Sequence, residues 1–196
     1  MMTQPLMTLT ARLDVNQVDD GVNWVFTDLD LAGNSDHNSK EVQWNRDIDF
    51  SAGQQFRIAI VASDKEKTGF ESLEVVDCCI ITRPQILCCG QDIRTYYAPP
   101  SIFIGKDGEQ LGALYQIDPS AFSVHSTGID PKKGRQITLL WNDQLTVGQY
   151  NGFWELSFYL TVRIKRTGEE TQQLRVFYFD PETEVGNGTN PPRAPI

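Results

Sequence analysis

The sequence lacks the features of most membrane-spanning, secreted and nucleic-acid-binding proteins. No apolar run approaches the roughly 18 residues of a membrane-spanning helix, and the start, MMTQPLMTLTARLDV, has no basic segment followed by an apolar one. Basic residues are outnumbered, with 17 Lys and Arg against 26 Asp and Glu and a net charge of -9. Such a chain repels phosphate polyanions and anionic lipid. We therefore expect an acidic, cytoplasmic protein with no nucleic-acid partner and no membrane partner.

Catalytic motifs are missing as well. There are only two histidines, His37 and His125, and neither lies in a nucleophile-elbow or metalloprotease context. The glycines fall singly at turns, without the strand-to-helix context of a phosphate-binding loop. We therefore predict no catalytic residues, no cofactor and no metal site, and keep a hydrolase only as the third possibility.

Cysteine is scarce, and its four copies, Cys78, Cys79, Cys88 and Cys89, flank the segment 82–85. If that segment is a tight hairpin, the spacing places Cys79 opposite Cys88 and Cys78 opposite Cys89. Alternation then sends one pair to each face of the sheet, which disfavours a four-cysteine zinc site. Free thiols packed as small hydrophobic groups are the favoured interpretation, with disulfides and a metal site as alternatives.

No amphipathic helical pattern exceeds about two turns, whereas strand alternation recurs throughout. It is clearest from Phe153 to Asp180, which predicts one long antiparallel hairpin. Even-numbered residues from Trp154 to Ile164 are apolar and form its buried face. The turn is predicted at 166–170. The return strand is predicted to bury three residues, Leu174, Val176 and Tyr178.

Further alternating segments, separated by turn signals, indicate an all-β fold. We predict a two-sheet antiparallel β-sandwich with Greek-key, immunoglobulin-like connections, and a closed β-barrel is the alternative. The chain is predicted to be one domain, 1–196, with a flexible leader at 1–7 and an irregular tail at 181–196. Segment 118–134 is predicted to be less regular. Core positions are predicted for the four tryptophans, Trp24, Trp44, Trp141 and Trp154.

The polar segment 28–41 is predicted to be an exposed loop, the first place to look for a ligand. It begins like a calcium loop, but Ala32 stands where a third ligand is needed, which favours a solvated acidic surface. Aromatic faces and carboxylates suit polyols. The candidate ligand-binding residues are Asp28, Asp30, Asp36, His37, Tyr96 and Tyr97.

The end of the long hairpin, 176–181, reads Val-Phe-Tyr-Phe-Asp-Pro. This segment resembles the end of the bacterial inclusion-body (PixA/AidA-like) proteins, which finish with an aromatic run and a Trp-Asp-Pro. Here Phe179 replaces the tryptophan. The resemblance covers roughly the last quarter of the chain and implies a bacterial cytoplasmic sandwich without established enzymatic activity. Our leading hypothesis is therefore a non-enzymatic protein that acts as a homo-oligomer or binds a protein partner, and a carbohydrate or small-ligand binding module is the alternative.

Overall fold

The computed structural model describes residues 6–29, 48–84, 100–149, 152–179 and 182–186. They form strands and one short 3₁₀ turn, Pro119–Ala121, with no α-helix in these ranges. The described part of the chain therefore contains no helix suited to crossing a membrane. The strands are β1 (Leu6–Asp14), β2 (Asn23–Leu29), β3 (Ile48–Ser51), β4 (Gln55–Asp64), β5 (Phe70–Pro84), β6 (Phe103–Ile104), β7 (Leu114–Ile117), β8 (Phe122–Asp130), β9 (Gly134–Trp141), β10 (Leu145–Val147), β11 (Gly152–Arg166), β12 (Gln173–Phe179) and β13 (Glu182–Gly186).

The first sheet has seven strands centred on β4. On one side β4 pairs in parallel with β1, and β2 lies beyond β1. On the other side β4 pairs with β9 along one half and with β10 along the other. The outermost strands on that side are β8, next to β9, and β6, next to β10.

The second sheet has six strands centred on β11. One edge of β11 pairs with β5 from Trp154 to Arg166, and β7 lies beyond β5. The other edge pairs with β13 near its start and with β12 further on. β3 lies beyond β13 in a parallel pair. Neither sheet closes on itself, so the all-β, two-sheet prediction is confirmed and the alternative of a closed barrel is wrong. The sheets are mixed and not purely antiparallel as predicted, because β1 pairs with β4 and β13 pairs with β3 in parallel.

One apolar core lies between the two sheets. Phe158 of β11 stacks on Phe179 of β12, with ring centroids 4.6 Å apart, and its ring lies 6.1 Å from that of Phe56 in β4. Trp141 and Trp154 are buried as predicted, and Trp24 is partly buried against Phe179. The predicted core position of Trp44 lies outside the described residues.

The long hairpin is confirmed, but its return strand buries the odd-numbered residues and not the even-numbered residues that were predicted. All six even-numbered residues from Trp154 to Ile164 are buried. In β12, however, Phe177 and Phe179 are buried, whereas the three predicted core residues, Leu174, Val176 and Tyr178, are about half exposed. The reason is the register: Ile164 pairs with Gln173, so odd residues of β12 share a face with even residues of β11. A turn centred on Gly168 would have given the opposite phase.

A β-bulge explains why β5 is apolar at both parities. Thr161 of β11 pairs with Asp77, and the next residue, Val162, pairs with Val75, so Val76 is an extra residue without a direct partner. Before the bulge Leu73 and Val75 face the core, and after it Cys78 and Ile80 do. The core-facing residues of β5 therefore change from odd to even numbers at the bulge, and this is why apolar residues occur at both parities.

The chain ends differ from the predicted leader and tail. β1 begins at Leu6, and both Leu6 and Met7 are buried, so the strand starts inside the predicted leader, 1–7. β13, Glu182–Gly186, lies inside the tail predicted to be irregular, 181–196, because its backbone completes the edge of β11.

Candidate functional site

The residues predicted to bind a ligand lie almost entirely outside the described ranges. Asp28 lies in β2, where its backbone pairs with Met7 of β1. The other candidates fall outside the described residues: Asp30, Asp36, His37, Tyr96 and Tyr97. The ligand-binding site therefore stays a prediction.

The tight hairpin predicted at 82–85 is wrong, because Thr82 and Arg83 continue β5 and pair with β11. The predicted partners Cys88 and Cys89 lie outside the described residues. Both described cysteines are buried free thiols, as favoured from the sequence. Burial, with the nearby Cys79 and Asp77, raises the pKa of Cys78 to about 12. This thiol is therefore protonated at neutral pH and is not an activated nucleophile.

Metal and acid–base chemistry find no support in the described ranges. They contain no group of three or more His, Cys, Asp or Glu side chains arranged to hold a metal ion. His125, the one histidine in these ranges, is exposed in β8, where it is the extra residue of a bulge between Val124 and Ser126.

Asp64, at the end of β4, is a buried carboxylate that organises the β4–β5 loop. It accepts hydrogen bonds from the backbone N–H groups of Thr68 and Phe70, at 2.9 and 3.1 Å, and from the side chains of Asn16 and Thr68. Burial alone raises the pKa of Asp64, but these hydrogen bonds outweigh it and lower the pKa to about 2. The segment 64–69 is therefore anchored by an ionised buried group.

Two arginines of the long hairpin hold the neighbouring loop. Arg166 and Arg175 donate to backbone carbonyl oxygens of the β1–β2 loop, residues 15–22, at 2.8 to 3.0 Å. The Tyr178 N–H also donates to the Asp20 carbonyl at 3.1 Å. This loop therefore covers the outer edge of β12, and these two arginines have a structural role.

Two more basic side chains on the outer face of the second sheet form ion pairs. Arg163 contacts Glu74 at 2.7 Å, and Lys165 contacts Glu71 at 2.8 Å. Glu71 and Glu74 of β5 therefore offset the positive charge of these side chains. Exposed pairs of this kind offer little net charge to a partner.

Beside these ion pairs lies a small apolar surface made by β11 and β12. Tyr159 and Tyr178 stack across the two strands with ring centroids 6.3 Å apart, and both are nearly half exposed. Leu174 and Val176 continue the same face of β12 and are more than half exposed. We call these four residues the tyrosine surface.

The open edge of β8 is the most distinctive feature of the described surface. β8 is nine residues long and pairs with β9 alone, so no described strand pairs with its other edge. Asn142 N–H donates to Ala121 O, so by alternation the peptide groups of Val124 point to the open side, whereas the Phe122 N–H donates to Pro119 O of the 3₁₀ turn. No Lys, Arg or Pro lies between Phe122 and Asp130 to block pairing there.

Both faces of β8 are uncovered because this strand extends beyond the sandwich. The second sheet ends at β7, whose Tyr115 packs against Trp141 of β9, with ring centroids 6.4 Å apart. β8 lies one strand further out, and its seven central residues are all exposed. Val124, 59% exposed, and Ile129, 84% exposed, follow the partly buried Phe122 on the face that continues the core.

The two ends of the β8–β9 hairpin carry opposite charge. The tip, residues 130–135, contains Lys132, Lys133 and Arg135 against one carboxylate, Asp130. The other end, which we call the root, carries Asp118 before β8 and Asp143 after β9. The pKa of Tyr115, at this end, is raised first by burial and then by the negative charges of Asp143 and Glu109. The carboxylates of Asp143 and Glu109 therefore lie near the root.

No family model, curated protein or solved structure matches the chain.

The open edge was missed from the sequence because the bulge at His125 breaks the alternation. Phe122 and Val124 share a face with Thr127 and Ile129, so apolar residues change parity midway along the strand. The turn sequence at 130–134, between this segment and Ile137, is typical of a hairpin and could have indicated that β8 is a strand.

Proposed function

We propose that this protein is a non-enzymatic interaction module that acts by strand addition at the open edge of β8, through self-assembly or the binding of a protein. The observation that supports the proposal is a nine-residue edge strand whose outer side pairs with no described strand and whose residues are exposed on both faces. An edge of this kind is a template for another strand, and main-chain hydrogen bonds supply much of the binding energy.

The rest of the prediction from the sequence belongs to this proposal. A Greek-key, immunoglobulin-like connectivity agrees with a chain that places β1 and β2 in the first sheet, β3 in the second and β4 again in the first. The resemblance to bacterial inclusion-body proteins rests on residues 176–181, and 180–181 lie outside the described ranges. A bacterial, cytoplasmic protein is the setting in which we propose the module works.

Light scattering after size-exclusion chromatography tests the proposal. We expect the molar mass of the chain to exceed that of a monomer as concentration rises, and the Val124→Pro variant to stay monomeric because proline removes a peptide N–H that points to the open side. Val124→Ala is the matched control, since it keeps the N–H and should retain association.

Self-assembly is contradicted if the wild-type chain stays strictly monomeric and hydrogen exchange of the β8 amides is equally fast at every protein concentration. If circular dichroism shows that Val124→Pro is unfolded, Val124→Lys replaces it, because an edge lysine also opposes strand addition.

A second candidate function is ligand binding, favoured by the exposed stack of Tyr159 and Tyr178. Stacked aromatic faces are typical contacts for sugars and other amphipathic ligands. A glycan array and thermal-shift screen, with and without calcium, would test both this surface and the predicted residues at 28–41, 96 and 97. Binding that Tyr178→Ala abolishes would favour the tyrosine surface, and binding that it leaves unchanged would favour the predicted loop.

A further inference from the structure

We infer that the strand added to β8 is β8 of a second copy of this chain, in antiparallel orientation about a two-fold axis. This inference rests on the proposed function and specifies its partner. It is based on three observations: the length and composition of the edge, the charges at the two ends of the β8–β9 hairpin, and the side of the sheet on which β8 is apolar.

The first observation concerns register. A two-fold axis between His125 and Ser126 pairs Phe122 with the partner's Ile129 and Val124 with the partner's Thr127, so the core-side residues of the two copies lie opposite one another. In this register Ser123 lies opposite the partner's Gly128, and His125 lies opposite the partner's Ser126. No pair joins two charges of one sign, and no proline interrupts the ladder.

Charge selects the antiparallel direction. In that direction the basic tip, with Lys132 and Lys133, lies beside the acidic root of the other copy, with the partner's Asp118, and the contact occurs twice by symmetry. A parallel arrangement would bring the two tips together and the two roots together. Since like charges oppose association and opposite charges favour it, the hairpin is complementary to itself in one direction only.

The apolar face of β8 supports the same partner. A two-fold axis perpendicular to the sheet keeps the core-side faces of both copies on one side. Val124 and Ile129 of each copy, 59% and 84% exposed in the single chain, then lie on one continuous surface with Val124 and Ile129 of the partner subunit. Their burial adds a hydrophobic contribution that a purely polar edge would lack.

This arrangement is closed. Both open edges are used in one isologous contact, so the assembly stops at a dimer with a single continuous first sheet. Filaments would require a different, heterologous contact.

Cross-linking with cysteine variants tests the register. Cys88 and Cys89 are first replaced by serine, and Ser126→Cys is then oxidised under mild conditions. The two copies of Ser126 lie next to the axis with Cα atoms about 6 Å apart, within reach of a disulfide. The matched control is Ser123→Cys on the same strand, where the two copies would be about 17 Å apart. We expect a covalent dimer from Ser126→Cys and none from Ser123→Cys.

A charge reversal tests the orientation. We expect Lys132→Glu with Lys133→Glu to weaken association about tenfold, and the further change Asp118→Lys to restore most of the loss, because the tip and root are again opposite in sign. Adding salt should reduce the difference between the three proteins.

The outcomes separate this inference from the proposed function. The antiparallel dimer is overturned, and strand addition still stands, if the chain associates through β8 but cross-links equally at position 123. The same conclusion follows if Asp118→Lys fails to restore association in the Lys132→Glu, Lys133→Glu variant. A wild-type chain that does not associate at all overturns self-assembly itself.

Discussion

At the scale of the residue, one buried carboxylate links folding to pH. Asp64 accepts four hydrogen bonds that join the ends of β1, β4 and β5, and they hold its pKa at about 2 in the folded protein. The unfolded chain binds this proton near pH 3.8. Because the folded-state pKa is lowered, the stabilisation is present above about pH 4 and is lost as the pH falls towards 2.

Asp64→Asn should therefore lower the free energy of unfolding by about 1 to 2 kcal/mol at neutral pH. The difference between variant and wild type should shrink between pH 4 and pH 2, where the wild-type carboxylate takes up its proton. Urea unfolding followed at several pH values measures this. Glu66→Gln, an exposed carboxylate of the same loop, is the control and should change little; an equal loss there, or a constant difference at all pH values, would contradict the role of Asp64.

At the scale of the element, the sequence predicted strands well where their alternation is unbroken. β11 was predicted with the correct buried face because it keeps one phase over its full apolar length. β12 was given the wrong face because the phase of a return strand depends on the length of its loop, 167–172, which alternation does not show. β8 was missed for a related reason, since its bulge changes the phase within the strand. The openness of its edge depends on which strands lie beside it, and this is a property of the whole fold.

The bulge in β5 gives a prediction of its own. Deleting Val76 should leave a folded protein within about 1 kcal/mol of wild type, because Val75 and Asp77 then follow one another with their present partners and every core residue keeps its phase. Deleting Cys79, in the regular part of the strand, should unfold the protein because it puts Cys78 and Ile80 in opposite phases. Thermal unfolding by circular dichroism compares the two deletions. Equal damage from both would show that Val76 is not the extra residue.

At the scale of the whole molecule, the two sheets depend on a single aromatic core. Phe158 is 1% exposed, and its ring contacts Phe179 of its own sheet and Phe56 of the other. Such a residue couples the two sheets, so its loss should affect the entire sandwich.

Phe158→Ala should lower the free energy of unfolding by about 3 to 5 kcal/mol, a large share of the stability of a typical domain. Tyr159→Ala removes the next side chain along the strand, on the exposed face, and should cost about 1 kcal/mol or less. Urea unfolding with fluorescence detection gives both values. If the two substitutions had similar costs, the assignment of the buried face would be wrong.

The order of the strands along the chain has a consequence for biosynthesis. Every strand of the first sheet has been made once residue 147 is translated, whereas the second sheet lacks its central strand until β11, residues 152–166, follows. Until then the growing polypeptide carries the apolar face of a nearly complete sheet, including Phe56 and Phe103, with no second layer to cover it. A nascent chain that pauses before residue 152 is therefore the species that most needs a chaperone.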